Sequence, residues 1–271
     1  MAASSWFRLL SFLMVLVALA GCGTRADTER TDPYANLFKG VKYVGSKKCA
    51  ACHTEIYDAF LQSEMGRSMS VLDEASLIER FPQKQAVYEP NKNFLYEMYK
   101  RDGKFYQREY RLDKTGTLVH ERSVGAEYVM GSGNNLRMYF RYENGMLYEL
   151  PLTWYSHSTK WDMSPGFRDF NNLRFRRFAS VRCLMCHNAI AEERPNANDR
   201  YDMPLPLGIG CERCHGPGEK HVREMTNTPP GTDLLTIVNP RKLPHEQQLD
   251  ICQQCHLQAK AWAPYQEAKV T

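Results

Sequence analysis

One five-residue pattern constrains this chain more than any other feature: two cysteines separated by two residues and followed at once by a histidine. It is the attachment signal of a c-type haem, in which both thiols bond the porphyrin and the histidine binds the iron. The pattern occurs four times in 271 residues, so the sequence predicts four covalently bound haems. We number these haem motifs from the N-terminus. Their attachment residues are Cys49, Cys52, Cys183, Cys186, Cys211, Cys214, Cys252 and Cys255, and their iron-binding residues are His53, His187, His215 and His256.

Paired cysteines with this spacing also occur in zinc sites and in redox dithiols. Zinc sites do not need a histidine directly after every second cysteine, whereas haem attachment does. Only one of the nine cysteines, Cys22, lies outside the four motifs. The pattern therefore favours covalent haem over zinc or a thiol redox centre.

The formal net charge of +4 does not indicate a nucleic-acid-binding protein. Each ferric haem with ionised propionates contributes about −1, so four haems cancel most of the positive charge of the chain. The sequence also lacks a basic stripe of the kind that follows a phosphate backbone. We therefore expect redox proteins as partners, and no nucleic acid.

The N-terminal residues 1–21 are typical of a targeting segment, with a basic residue followed by the apolar run 9–20. This run is too short to span a membrane, which takes about 20 apolar residues. Residues 19–22 resemble the bacterial lipobox, in which Cys22 becomes a lipidated N-terminus after cleavage. An ordinary secretory signal with an incidental cysteine remains the alternative. Either reading predicts export, and the lipobox predicts a lipid anchor at the periplasmic face of the outer membrane or at the cell surface.

Two further segments follow the signal peptide. Residues 22–40 are polar and without apolar periodicity, which predicts a flexible tether, and residues 41–271 form the predicted tetrahaem domain. Behind the first motif, apolar residues at helical spacing predict a short helix. They are Ile56, Tyr57, Phe60 and Leu61.

Between the first and second motifs, about residues 85–155, aromatic and polar residues alternate. The dipeptides Asp102-Gly103 and Asn144-Gly145 separate such runs and indicate tight hairpins. We expect an antiparallel β insert of four to six strands that end near Trp154. A turn over 161–167 and a lead-in helix over 172–181 should follow. The predicted class is α+β, a haem-packed and loop-rich multihaem cytochrome c fold with short helices.

Each motif supplies one axial ligand, so the residue on the opposite side decides whether an iron carries electrons or binds a substrate. His221 is the best candidate, because a Gly-Pro-Gly turn after His215 aims it towards a neighbouring haem. Each of the other candidates is equally compatible with an exposed or core side chain. These are His120, His157, His245 and Met65, the last because a thioether is also an axial ligand.

With these motifs in place, residues 43–258 resemble the cytochrome c-554-like multihaem family, in particular bacterial tetrahaem modules that often precede tetratricopeptide repeats. The resemblance also rests on Tyr-Val-Gly-Ser at 43–46, on the Trp-Asp-Met-Ser-Pro-Gly segment at 161–166 and on the Gly-Pro-Gly after the third motif. It implies closely stacked haems that pass electrons along a chain, with His221 as a distal ligand. The chain departs from the family at 63–69, where methionines stand in place of histidines.

The motifs and the resemblance together favour an electron carrier that relays single electrons between periplasmic or outer-membrane partners. A haem enzyme is the first alternative, since an iron without a protein sixth ligand would bind and reduce a small molecule such as a nitrogen oxide. A subunit of a cytochrome filament is the second. We favour the carrier over an enzyme, so no catalytic residue is predicted.

Overall fold

The chain is described here from a computed structural model. The structure describes residues 34–81, 85–168, 172–190, 193–194, 197–229, 232 and 234–256. The predicted signal peptide, Cys22 and most of the predicted tether lie outside these residues. Within them, no helix combines the length and apolar character that a membrane span requires.

The helices are short, and the haem motifs lie on them or beside them. The proline-rich connectors limit their length, because proline cannot continue a helical hydrogen-bond ladder. The described α-helices are α1 (Ser46–Ala50), α2 (Thr54–Leu61), α3 (Val181–His187), α4 (Glu212–His215), α5 (Glu219–Met225) and α6 (His245–His256). Helix α2 is the one predicted from the apolar residues behind the first motif, and that prediction is confirmed.

Antiparallel strands occupy most of the chain between the first and second motifs. Their bounds are β1 (Met69–Val71), β2 (Val87–Glu89), β3 (Phe94–Arg101), β4 (Lys104–Leu112), β5 (Leu118–Ala126), β6 (Tyr128–Met130), β7 (Leu136–Glu143), β8 (Met146–Tyr155), β9 (Lys160–Met163), β10 (Arg177–Phe178), β11 (Glu193–Arg194) and β12 (Ala197–Tyr201). One sheet has the order β1-β6-β7-β8-β10 with β9 also paired to β8, a second has the order β2-β3-β4-β5, and β11 pairs with β12. The predicted mixture of helices and antiparallel sheet is confirmed.

The two larger sheets share one apolar core. Buried and half-buried residues alternate along β3 and β4, as they do in a strand with one covered face. Gln107, on the covered face of β4, forms two hydrogen bonds with the backbone of Leu152 in β8. Its side chain donates to the carbonyl oxygen and accepts from the amide, at 2.8 Å each. The first sheet is thereby fixed against the second.

Both predicted hairpins are present. Asp102 and Gly103 have φ of 50° and 71°, and Asn144 and Gly145 have φ of 53° and 87°. Positive φ at both central residues is the condition for the turn that matches strand twist, and Asn or Asp followed by Gly meets it.

The extent of the strands differs from the prediction. Seven strands, not four to six, lie within residues 85–155, because β2, β5 and β6 lack the aromatic alternation that marked the others. Residues 161–163 belong to β9, since Trp161 and Met163 are buried against the sheet, and the predicted turn is limited to 164–167. The predicted lead-in helix at 172–181 is a 3-10 turn at Arg174–Arg176 followed by β10, and α-helix begins only at Val181.

Residues 34–40, assigned to the tether from their composition, pack against the folded domain instead. The amide of Ala35 donates to the carbonyl of Leu235 at 2.9 Å, and the side chain of Asn36 donates to the carbonyl of His215 at 2.9 Å. Tyr34 and Asn36 are buried. The polar Asn36 is buried because its partner lies 179 residues away, which local composition does not reveal.

One close backbone crossing joins the segment after α2 to the segment before the third motif. Gly208 has a φ of +68°, and a Cβ placed on it would lie 2.2 Å from the carbonyl oxygen of Gly66. We expect Gly208→Ala to lower the free energy of unfolding by about 2 kcal/mol or more, from strain and displaced backbone together. Gly116→Ala is the matched control, since Gly116 also has positive φ but open space around it. Equal losses in chemical denaturation of the two variants would contradict the role of the crossing.

Candidate haem-binding site

Each haem motif forms a helical turn, which places both cysteines and the histidine on one side of the backbone. The amide of His53 donates to the carbonyl of Cys49 at 3.0 Å, and the amide of His215 donates to that of Cys211 at 3.1 Å. The second motif lies in α3 and the fourth lies in α6. Residues three and four positions apart are neighbours on a helix, so this turn suits attachment of one ligand through all three side chains.

The third motif contacts the first through buried polar groups. The amide of Cys211 donates to Ser46 Oγ at 3.0 Å. The carboxylate of Glu212 accepts the amides of Val44 and Gly45, at 2.9 and 2.8 Å. The thiol of Cys211 also forms a hydrogen bond with that of Cys49. Two motifs more than 150 residues apart in sequence are therefore adjacent in space.

The third motif also contacts the second and the fourth. Arg213 donates from Nε to the carbonyl of Asn188, directly after the second motif, at 3.2 Å. Gln254, within the fourth motif, donates from Nε2 to the carbonyl of Arg213 at 3.1 Å. The thiols of Cys186 and Cys255 form a hydrogen bond that joins the second motif to the fourth. The fold thus gathers all four motifs, with the third in contact with each of the others.

Two thiols at these junctions, those of Cys49 and Cys186, have raised pKa values. Burial, reinforced by the adjacent Cys211 thiol, raises the pKa of Cys49 to about 11, and burial with the adjacent Cys255 raises the pKa of Cys186 to about 11. Redox dithiols and zinc ligands instead have lowered thiol pKa values. In the part of the chain that the structure describes, no group of three or more His, Cys, Asp or Glu side chains is arranged to hold a metal ion. The pKa values of Cys49 and Cys186 are thus unlike those of an activated dithiol.

The histidine of the third motif is oriented as an iron ligand. Its Nδ1 lies 2.8 Å from the carbonyl oxygen of Val238, to which it donates. A neutral imidazole protonated at Nδ1 carries its lone pair on Nε2, so Nε2 of His215 is available to iron. In the second motif, burial lowers the pKa of His187, which favours the neutral imidazole.

His221 lies beside the histidine of a different motif. Its ring and that of His53 are parallel within 12°, with centroids 6.5 Å apart. Its Nδ1 forms a hydrogen bond with Thr236 Oγ1 at 2.9 Å, so Nε2 is the ring nitrogen that remains for iron. Two imidazoles on opposite sides of one metal ion have centroids about 6 Å apart, because metal–nitrogen bonds are about 2 Å and each nitrogen lies about 1.1 Å from its ring centre. The pair therefore fits a bis-histidine haem at the first motif.

The other distal candidates have different surroundings. His120 Nε2 in β5 lies 3.1 Å from Glu109 of β4, and neither residue belongs to a haem motif. His157 is exposed on a turn, and its Nε2 lies 2.9 Å from Asn135 Oδ1. Each of the two histidines therefore forms a hydrogen bond with a residue outside the haem motifs.

The last two candidates, Met65 and His245, are also exposed. Met65 is 51% exposed in the segment after α2. His245 begins α6, eleven residues before His256 on the same helix, which is about 16 Å along its axis. His245 therefore cannot share an iron with His256, and only another haem is open to it.

Apolar side chains are exposed around the first and third motifs, where a porphyrin would cover them. An open groove of about 590 Å³ borders the third motif, a volume within the range of small-molecule and cofactor sites. On α2, beside the first motif, Ile56 is 70% exposed and Leu61 is 40% exposed. The groove is lined by Tyr34, Leu37, Tyr43, Ile190, Arg213, Cys214, Val238, Leu243 and Ile251, among others.

Residues 153–216 match the family model of cytochrome c554 and c-prime. The predicted resemblance to the cytochrome c554 family is confirmed. The matched segment of this cytochrome c554-like chain contains the second and third motifs, including Cys183, His187, Cys211 and His215. The match implies covalently bound c-type haem and supports a role in electron transfer. No curated protein matches the chain significantly.

Two solved structures are similar in part. The outer cell wall cytochrome OcwA matches 79% of this chain and 37% of its own, at 16% identity and a TM-score of 0.47. An undecaheme cytochrome from the S-layer of Carboxydothermus ferrireducens matches 80% of this chain and 26% of its own, at 17% identity and a TM-score of 0.40. The chain thus spans well under half the length of either protein.

Sequence reasoning missed the polar groups that orient the site. Val238 and Thr236, which fix the rings of His215 and His221, lie in a loop with no motif of its own. Glu212 stands within the third motif, but its variable position there gave no sign of its partners. Only the folded chain shows these contacts.

A buried carboxylate lies in β8 beside β10, close to the start of the second motif. Glu149 pairs with Arg177 at 3.2 Å, while its Oε1 is buried without a hydrogen-bond partner among the described residues. Burial raises the pKa of Glu149 to about 7, although Arg177 opposes the shift. The folded chain therefore keeps a proton that the unfolded chain loses above about pH 4.5.

This retained proton makes the stability fall as pH rises from about 4.5 to 7, because the unfolded chain binds fewer protons there than the folded chain. We expect Glu149→Gln to abolish that loss and to raise the free energy of unfolding at pH 8 by up to about 3 kcal/mol. At pH 4.5 the variant should match the parent. Thermal unfolding at both pH values measures the difference, with Glu143→Gln as an exposed control on the same hairpin. A gain that is equal at both pH values would contradict the assignment.

Proposed function

We propose that the protein is an exported electron carrier with four covalently bound c-type haems, which relays single electrons between redox proteins. The observation that carries the proposal is the convergence of the four haem motifs around the third, with His221 brought beside His53 of the first. Closely packed haems pass electrons, whereas four dispersed haems would not form a path.

The eight motif cysteines would hold the porphyrins, and His53, His187, His215 and His256 would bind the irons. His221 is proposed as the second ligand of the first haem. His245 and Met65 are retained as candidates for the remaining irons, because both side chains are exposed. His120 and His157 are weaker candidates, since Glu109 and Asn135 engage their Nε2 atoms.

Haem iron supplies a centre that gains and loses one electron without forming or breaking bonds to the protein. The chain contributes by orienting the rings of His215 and His221 through Val238 and Thr236, and by packing its aromatic sheets beside the motifs. Two protein ligands on an iron leave no position for a substrate. The His53–His221 pair thus supports a carrier rather than an enzyme at the first haem.

Export and anchoring belong to the same proposal. Residues 1–21 would direct the chain out of the cytoplasm, and lipid on Cys22 would hold it at the outer membrane or the cell surface. From Tyr34 onwards the chain packs on the domain, so the proposed tether consists of residues 22–33.

The test is low-temperature electron paramagnetic resonance of the oxidised holoprotein, with haem content from pyridine haemochrome on the same sample. We expect four haems per chain, all low-spin. A high-spin signal from about one haem in four, altered by nitric oxide or cyanide, would replace the carrier with the enzyme alternative. Intact mass spectrometry of the same preparation reports the four haems independently and shows whether lipid is present on Cys22.

A further inference from the structure

Glu212, the second residue of the third motif, has a carboxylate with an unusual set of partners. The residue is 6% exposed, and its two oxygens accept three backbone amides. Oε1 accepts from Val44 at 2.9 Å and from Gly218 at 2.8 Å, while Oε2 accepts from Gly45 at 2.8 Å. Three backbone amides from two separate segments meet on one carboxylate, so this group is a firm junction.

The three amides belong to two segments that carry axial histidines. Val44 and Gly45 directly precede α1, which leads into Cys49 and His53. Gly218 directly precedes α5, which carries His221. One carboxylate therefore joins the segment of the first motif to the segment of its proposed distal ligand.

The backbone around Glu212 is shaped for this approach. Gly45 has a φ of +80°, which side-chain-bearing residues rarely adopt. A Cβ on Gly218 would lie 2.9 Å from the side chain of Val44 and 3.1 Å from Glu212 Oε1. Both positions need glycine for the amides to reach the carboxylate.

A second, weaker link runs parallel to the first. Lys42 and Glu219 exchange backbone and side-chain hydrogen bonds at 3.1 Å, but these are exposed. Water competes for exposed groups, whereas the amides that Glu212 satisfies would be left without partners if the carboxylate were removed. Glu212 is therefore the contact on which the spacing of the two segments depends most.

We infer that Glu212 is a positioning residue that sets the spacing and orientation of His53 and His221 as a pair of ligands for one iron. The inference rests on the proposed function, in which these two histidines share a haem. Ligand pairs must be held within about 0.5 Å of their working geometry, and neither histidine is fixed by its own short helix alone. Loosening the junction should release His221, since His53 remains tied to its haem through Cys49 and Cys52.

The experiment counts irons that open to an external ligand. Holoprotein is reduced anaerobically and titrated with carbon monoxide, which binds ferrous haem only where the sixth position is free. Four variants are compared with the parent at measured haem content: Glu212→Ala, Glu212→Gln, His221→Ala and Glu224→Gln. Glu224→Gln is the matched control, because it neutralises a carboxylate on α5 whose only ion-pair partner among the described residues is Lys220.

We expect His221→Ala to gain one carbon-monoxide-binding haem per chain relative to the parent. Glu212→Ala should approach the same gain, Glu212→Gln should show a fractional gain because its amide keeps one acceptor oxygen, and Glu224→Gln should show none. Glu212→Gln retains the shape of the side chain and decides the question if Glu212→Ala does not accumulate. Unchanged carbon monoxide binding in Glu212→Gln, beside a gain in His221→Ala, would overturn the inference and leave the proposed function intact. No gain in His221→Ala would instead overturn the shared haem itself.

Discussion

A variant in which Cys211 and Cys214 are both replaced by alanine is expected to lose more than the one haem that the third motif attaches. The third motif contacts the first through Ser46, the second through Arg213 and the fourth through Gln254. A haem attached to the third motif would pack between the other three, so its loss should leave the other haem motifs poorly ordered. The secreted chain should therefore contain fewer than the three haems per chain that remain when only the haem of the third motif is lost.

The matched comparison is Cys252→Ala with Cys255→Ala. The fourth motif lies at the end of the described chain and contacts the second and third motifs, whereas the third motif contacts all the others. This double variant should keep three haems per chain in pyridine haemochrome and intact-mass measurements. If both double variants keep three haems, the third motif is not the centre of the arrangement.

The features that sequence predicted well are those that local residues determine. The hairpins need only a dipeptide that tolerates positive φ between alternating strands. Helix α2 follows from apolar residues at helical spacing. These features were predicted without knowledge of their tertiary partners.

The errors have a common physical origin in partners that are distant in sequence. Residues 34–40 have the composition of a tether, yet Asn36 is buried because it bonds the carbonyl of His215. Strand β9 was read as a turn, although β8 covers one edge of it and the sheet core covers Trp161. Composition and periodicity cannot show which surface a segment meets.

The distal ligands show the same limit. The sequence offers four histidines and Met65 as distal candidates, and it favours His221 only through the turn that precedes it. The fold places His221 beside His53 and places His120 beside Glu109. Counting side chains gives the number of candidates, whereas only their positions distinguish an axial ligand from a member of a salt-bridge cluster.

Glu109, Arg174, Tyr96 and His120 form this cluster, and a second large effect is expected from it, on the stability of the sheets. Glu109 is fully buried in β4, where Arg174 donates to its Oε2 at 2.8 Å and the hydroxyl of Tyr96 donates at 2.7 Å. Burial alone would raise the pKa of Glu109, but the hydrogen bonds from Arg174, Tyr96 and His120 hold it below its usual value. The carboxylate is therefore ionised and paired in the folded chain at neutral pH.

We expect Glu109→Ala to lower the free energy of unfolding by about 3 to 5 kcal/mol, because it leaves the charge of Arg174 and the buried hydroxyl of Tyr96 without their acceptor. Glu121 on β5 is an exposed ion-pair partner of Arg108 on β4. Glu121→Ala should therefore lower the free energy of unfolding by about 1 kcal/mol or less. Chemical denaturation followed by far-ultraviolet circular dichroism measures both.

The depressed pKa adds a pH dependence that distinguishes lost pairing from lost packing. The stabilisation by ionised Glu109 is complete above about pH 4.5, where an unfolded glutamate is also ionised, and it is lost as pH falls through the lower folded pKa. The difference between the parent and Glu109→Ala should therefore shrink in acid. A difference that stays constant from pH 7 to strong acid would mean that the alanine variant suffers from a cavity, and that the charge of Glu109 contributes nothing to the sheets.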